Sequence, residues 1–250
     1  DNNRNFRGSA TDTCTLDGTN NSIVKKLNDL GLATNVSGVS GDVIYGADSG
    51  TTNGKIVGIN TSGECIEVIT HAELGGFRPS AMEVRTIGGE DHLFASGRWW
   101  QGGWRSRFYT KNLTTGDTST CESDYSGSLA IDIRTSYDLT VDNSGDFLYY
   151  IYRGHIYGYA LTKTGNNYCP SNEAWDRRYL QGNTSTTHRK AAGIEISRDD
   201  NSIMYVASSR QNVVQKVNLT GNTTLTSVTL AGRRNKANNT ADPGTLNASN

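Results

Sequence analysis

Four stretches of this chain share one pattern: GLATNVSGVSGDVIYGADSG, SAMEVRTIGGEDHLFASG, YDLTVDNSGDFLYYIYRG and AGIEISRDDNSIMYVASS. Each reads as a short alternating strand, a turn rich in Gly, Asp and Asn, and an apolar strand with a central aromatic. The aromatics are Tyr45, Phe94, Tyr150 and Tyr205, spaced by 49, 56 and 55 residues. A third strand follows each (KIVGIN, RFYTKNL, HIYGYAL, VVQKVNL), and a fourth follows another turn, as in CIEVIT and LTSVTLAG. A fixed period of this kind constrains the fold more than any short motif. A small antiparallel sheet cannot bury both of its faces alone, so neighbouring repeats must stack.

Units of four short antiparallel strands recurring about every 50 residues are the blades of a β-propeller. The expected fold is therefore all-β, with at least four blades over about residues 31–75, 76–125, 135–175 and 190–231 of a single domain. Residues 1–30 and 232–250 then close or connect the ring. Propellers hold roughly 4 to 8 blades, so the four units read either as a small ring or as part of a larger, six-bladed one. Hydrophobic residues make up 34% of the chain and glycine contributes 28 positions, a balance suited to short strands and tight turns. A net charge of −1 supplies no field toward nucleic acid. Apolar runs stop far short of the roughly 20 residues a membrane helix needs, so no membrane insertion is expected. The sequence opens at Asp1 without methionine and is read as a processed chain or a segment of a longer one.

The run SIMYVASSRQNVVQKVNLTGNTTLTSVTLAG resembles the NHL repeat, with its apolar strand, short polar loop, strand ending in Lys-Val and final Thr-Leu-Ala-Gly. The resemblance is clearest over residues 192–231, and LGLATNVSGVSGDVIYGADSG echoes it in the first unit. It implies a propeller, six-bladed in most of that superfamily, and no single function.

Nine Asn-x-Ser/Thr sequons occur, at Asn20, Asn35, Asn60, Asn112, Asn183, Asn218, Asn222, Asn238 and Asn247. They are expected to carry N-linked glycans in an extracellular or cell-surface protein. The four cysteines, Cys14, Cys65, Cys121 and Cys169, have no metal-binding spacing and favour disulfides. Three of them, Cys65, Cys121 and Cys169, enter the outer strands of their units. Equivalent outer positions on neighbouring blades are expected to lie beyond the reach of a disulfide, whose Cα atoms sit within about 7 Å. Pairing is then expected to involve Cys14, a displaced loop or another chain.

Three of the four tryptophans fall in GRWWQGGWRSRF. The stretch is read as the longest loop between second and third strands, on the face where propellers meet ligands. Arg98, Trp99, Trp100, Trp104 and Arg105 form the candidate contact patch for another protein, copies of this chain included, or for a glycan. The alternative is chemistry in the central channel. Aligned first strands place Asn35, Glu83, Thr140 and Glu195 in register, and lactonase-like and amidating-lyase-like propellers carry metal ligands there. Glu83 and Glu195 are thus the candidate ligands of a metal-dependent hydrolase or lyase, with calcium the ion such oxygens suit. His71, His92, His155 and His188 share no metal spacing. The reading favoured overall is a secreted, glycosylated binding or structural module without a cofactor or catalytic residue, a subunit of an extracellular assembly or filament.

Overall fold

A computed structural model describes residues 27–48, 54–100, 104–122, 138–152, 155–180, 191–208, 213–220 and 224–232. These residues form strands joined by turns, with no helix among them. The first unit holds β1 (Leu27–Ala33), β2 (Val43–Asp48), β3 (Lys55–Asn60) and β4 (Cys65–Ile69). The second holds β5 (Arg78–Ile87), β6 (Glu90–Trp100), β7 (Trp104–Asn112) and β8 (Thr118–Glu122). The third holds β9 (Leu139–Val141), β10 (Phe147–Tyr152), β11 (His155–Thr164) and β12 (Asn167–Leu180). The fourth holds β13 (Ala191–Ile196), β14 (Ile203–Ser208), β15 (Val213–Asn218) and β16 (Thr224–Gly232).

Each set of four forms one sheet in sequence order. The third and fourth sheets also join at their outer edges, where β12 runs parallel to β16 with Tyr179 opposite Thr224. Four consecutive four-stranded meanders are the blades of a β-propeller, and the chain belongs to that fold class. It divides into two compact units, Asp1–Thr135 with Lys163–Cys169, and Ser136–Thr162 with Pro170–Asn250.

Alternation along the strands assigns each blade two faces. In the first unit, Ala33, Val43, Tyr45, Ala47 and Ile56 from one face of the first blade pack on Met82, Val84, Leu93 and Ala95 of the second. In the second unit, Tyr149, Ile151 and Ile156 of the third blade pack on Ile194, Ile196, Met204 and Val206 of the fourth. The face that meets the following blade is here called trailing, and the opposite one leading. Each fully buried aliphatic or aromatic side chain contributes roughly 1.5–3 kcal/mol. Close approach decides one position. A Cβ on Gly31, in β1, would lie 2.6 Å from Val84 Cγ2 and 2.9 Å from the Val84 backbone nitrogen.

The same carboxylate stitch recurs at both junctions. Leu30 N–H donates to Asp29 Oδ1 at 2.9 Å, while Met82 N–H of the next blade donates to Asp29 Oδ2 at 2.8 Å. Leu139 N–H donates to Asp138 Oδ1 and Ile194 N–H to Asp138 Oδ2, both at 2.8 Å. A second tie lies at the other end of the first strands. Buried Asp91 accepts the N–H groups of Thr34 and Asn35 at 2.6 and 2.8 Å and the Thr86 hydroxyl at 2.6 Å. In the second unit, Asn143 donates to Asn201 Oδ1 from its backbone at 2.9 Å and to Ser197 O from its side chain at 2.9 Å.

The cysteines overturn one expectation. Cys121 of β8 and Cys169 of β12 are bonded directly, with Cα atoms 5.8 Å apart, although they enter the outer strands of neighbouring blades. Blades that diverged steadily outward would hold these two strands apart. Here residues 163–169 belong to the compact unit of the second blade, which brings the two outer strands together. Cys65 is disulfide-bonded too, and no described cysteine is free. Cys14 lies outside the described residues.

Candidate functional site

The tryptophan stretch is strand and not loop. β6 and β7 pair from His92 opposite Asn112 out to Trp100 opposite Trp104, with Trp99 opposite Arg105 and Arg98 opposite Ser106. The expected long loop reduces to residues 101–103, which lie outside the described residues. Phe94, Tyr45, Tyr149 and Tyr205 occupy equivalent places opposite the first strands. On that alignment β2, β10 and β14 all end at the position of Gly97, and β6 continues for Arg98, Trp99 and Trp100. Among the described residues, the second strand of this blade therefore runs three residues further than its counterparts. The register keeps the five candidate residues together at the end of this hairpin.

At the base of this hairpin the trailing face of the second blade is polar. Glu83 and Arg85 in β5 are buried and ion-paired with each other. His92, cross-strand from Arg85, is 1% exposed and packs edge-on against Tyr168, ring centroids 5.0 Å apart. Neither imidazole nitrogen has a hydrogen-bond partner among the described residues. Burial pulls its pKa below the ordinary value; Glu90, 3.8 Å from Nε2, opposes that shift and Lys163 adds to it. His92 carries no sequence signal of this environment, because its partner Tyr168 lies 76 residues away.

The channel alignment needs correction at two places. Gly31, not Asn35, stands opposite Tyr45 in β2; Asn35 lies beyond the end of β1, exposed in the turn. The strand had started earlier than the sequence pattern suggested, since its first residues are not strictly alternating. In the third blade Thr140 holds its place, but its partner is Tyr149, and Tyr150 faces the other way, stacked with Tyr157 and Tyr159. Glu83 and Glu195 do occupy equivalent positions, opposite Phe94 and Tyr205. Their settings differ: Glu83 is buried beside Arg85, whereas Glu195 is exposed. Among the described residues, no three His, Cys, Asp or Glu side chains gather as a metal site.

The sequons divide by turn chemistry. Asn60, Asn112 and Asn218 each end a third strand, and their side-chain oxygens accept backbone N–H groups of the turn that follows. Asn60 Oδ1 takes Ser62 and Glu64, Asn112 Oδ1 takes Thr114 and Thr115, and Asn218 Oδ1 takes Thr220. Asx-turns select Asn followed closely by Ser or Thr, so the repeat itself generates part of the sequon excess. Asn112 is the most enclosed of the three. It is 0% exposed, and its Nδ2, the atom a glycan would occupy, donates to Glu90 Oε2 at 2.9 Å. Asn35 and Asn218 are exposed, and Asn60 is half-buried with Nδ2 on Glu64. Asn20, Asn183, Asn222, Asn238 and Asn247 lie outside the described residues, as do His155's side chain and His188.

No protein-family profile matches this sequence, and no curated protein matches it. Solved structures similar in fold include an ancestral GH74 enzyme, at 14% identity over 82% of this chain and 27% of that one, with a TM-score of 0.48. The Dos1 propeller follows at 11% identity, over 80% of this chain and 46% of that one, TM-score 0.44. The periplasmic gluconolactonase of Pseudomonas aeruginosa matches at 12% identity over 80% and 55%, TM-score 0.45. This chain spans between about a quarter and just over half the length of these structures. At such identities and scores the matches carry no argument about activity or ligand.

Proposed function

We propose that this chain is a secreted or cell-surface β-propeller module that binds other proteins or glycans, and that it serves recognition or assembly and not catalysis. The observation that carries the reading is the β6–β7 hairpin. The blade's second strand runs three residues past Gly97, the position at which β2, β10 and β14 end, and Arg98, Trp99, Trp100, Trp104 and Arg105 belong to that added stretch of paired strand. Tryptophan and arginine supply much of the binding energy at protein contacts, and indole faces also stack on sugar rings. The bonded cysteines support an oxidising compartment. Glycans at exposed sequons such as Asn35, membership of the NHL group and a six-bladed ring belong to the same reading. The ion pair that occupies Glu83 speaks against its use as a metal ligand.

The test compares the wild-type chain with the Trp99→Ala, Trp100→Ala, Trp104→Ala triple variant. Retention is measured on immobilised copies of the chain and on immobilised neutral and sulfated glycans. Retention of the wild type on at least one surface, weakened tenfold or more in the variant, supports the proposal. Equal retention of both, or of neither, overturns the hairpin as the contact. A tightly bound divalent metal together with hydrolase or lyase activity lost on Glu195→Gln would replace the reading with the catalytic one.

A further inference from the structure

The polar trailing face of the second blade is covered from within its own unit. The stretch Lys163–Cys169, which turns from the end of β11 into β12, packs with that blade. Asn166, at the exposed tip, donates from Nδ2 to Asp117 Oδ2 at 2.7 Å, and its carbonyl accepts from Asn112 Nδ2 at 3.5 Å. Two residues on, Tyr168 is 7% exposed, edge-on to His92 and 6.1 Å from Phe94 between ring centroids. Cys169 then bonds to Cys121 of β8. One hydrogen-bonded tip, one aromatic contact and one covalent link therefore hold the segment down.

The aromatic contact rests on a histidine that has no provision for a second proton. Neither His92 nitrogen has a partner among the described residues, and Thr110, opposite Phe94 on β7, has a buried hydroxyl equally without one. On β5, Arg85 stands cross-strand from His92 and is paired with Glu83. On β6, Glu90 Oε2 lies 3.8 Å from Nε2 but already accepts from Asn112, and Asp91 accepts from Thr34, Asn35 and Thr86. Asp117 is taken by Asn166. From the covering segment come Tyr168 and Lys163, whose ammonium sits 5.5 Å from the Tyr168 ring centroid. A charged imidazole thus meets cations on both sides, Arg85 and Lys163, and carboxylates that are already engaged. Burial pulls its pKa below the ordinary 6.5, with Glu90 and Asp91 opposing and Lys163 adding. The closed arrangement is accordingly complete above about pH 6.5 and loses stability as pH falls through that window.

We infer that Lys163–Cys169 is an acid-released clasp: protonation of His92 lifts Tyr168 off the second blade, and the Cys121–Cys169 bond keeps the lifted segment tethered. A single buried histidine beneath a short segment is enough to bias such a two-state element. Opening uncovers the polar face that carries His92 and Thr110. The clasp goes beyond the proposed hairpin function and uses none of the hairpin's residues.

Hydroxyl-radical footprinting of the 250-residue chain between pH 7.5 and 5 tests this, because it reads tyrosines one by one. An imidazole of ordinary pKa in the open form raises the opening constant by at most about 30-fold over that range. Labelling of Tyr168 is expected to rise at least threefold, while Tyr45 and Tyr109, 0% and 2% exposed in the same unit, stay unchanged. His92→Phe, which keeps a ring under Tyr168, should abolish the rise. Asn166→Ala, at an exposed position, serves as second variant if His92→Phe disturbs the fold: it removes the tie to Asp117, so Tyr168 labelling at pH 6.5 should exceed wild type at least twofold. Replacing Cys121 and Cys169 together by serine should raise Tyr168 labelling at pH 5 above wild type. The triple tryptophan variant should keep the full acid response, which separates failure here from failure of the hairpin reading. A rise at Tyr168 below threefold in the wild type, a rise that persists in His92→Phe, or one shared by Tyr45 and Tyr109 would each overturn the inference. Unchanged labelling at pH 6.5 in Asn166→Ala would do the same, and unchanged labelling at pH 5 in the double serine variant would overturn the tether.

Discussion

Replacing Asp29 by alanine removes a carboxylate that joins two blades at a single point. Met82 is 1% exposed, and its N–H ends on Asp29 Oδ2; Leu30, whose N–H ends on Oδ1, is 56% exposed. Hydrogen bonds to a charged group contribute roughly 1.5–3 kcal/mol each, and a buried donor left without an acceptor costs about 1–3 kcal/mol. The Leu30 amide regains water once the carboxylate is gone, so most of the loss falls on Met82. The expected destabilisation of the first unit is therefore about 2–3 kcal/mol. Asp138→Ala should act alike in the second unit, where the N–H of Ile194, 4% exposed, is left without its acceptor. Amide hydrogen exchange reads the two sites separately. Protection of Met82 should fall on the order of 100-fold in Asp29→Ala, and protection of Ile194 by a similar factor in Asp138→Ala. Asp29→Asn, whose amide offers one acceptor oxygen, should fall between. Protection at Met82 within twofold of wild type in Asp29→Ala would refute the claim that this carboxylate stitches the blades.

Three further outcomes follow from the same geometry. His92 is held neutral by burial, with Glu90 and Asp91 opposing that shift and Lys163 adding to it; Tyr168 covers the ring. Its folded pKa lies below the ordinary 6.5, so the first unit should keep full stability above about pH 6.5 and lose it as pH falls toward the folded value. Thermal unfolding between pH 7.5 and 5 should show this slope, and His92→Leu should remove it. In glycopeptide mapping of material from its native source, Asn112 should be unmodified and Asn35 modified. Asn112→Ala should cost about 1–3 kcal/mol through the turn and Glu90 bonds it removes. Non-reducing peptide maps should show Cys121 linked to Cys169 and Cys65 linked to Cys14, the cysteine that remains. Cutting the first link, which spans a sequence separation of 48, should cost about 4 kcal/mol on the chain-entropy account.

The blades were legible because their signals are local. The alternation in SIMYVAS, the glycine turns and the recurrence of a central aromatic all act within a few residues, and they located the four sheets. The candidate hairpin was half legible: its unusual residues were plain, but strand and loop look alike when Trp, Arg and Gly follow one another. Asn35 was misplaced because a register depends on the partner strand, and a β1 that begins at Leu27 shifts the position opposite Tyr45 to Gly31. His92, Asp29 and Asp138 gave no signal. Their roles come from residues more than 50 positions away, and a histidine or aspartate at a strand end is equally common on a solvated surface.

Local order along the chain is enough to set out a series of four-stranded repeats with an aromatic, arginine-flanked stretch in the second. Periodicity and turn chemistry are properties of contiguous residues, and they do not depend on what a sheet later packs against. Tertiary structure alone decided which faces are covered. Leu30, Leu32 and Ile44 are as apolar as Met82, Val84 and Leu93, and only the presence or absence of a neighbouring blade separates buried core from exposed patch. It also decided that Cys121 meets Cys169 and that Asn112 is enclosed, because such approaches are set by how sheets stack and not by the order of residues along the chain.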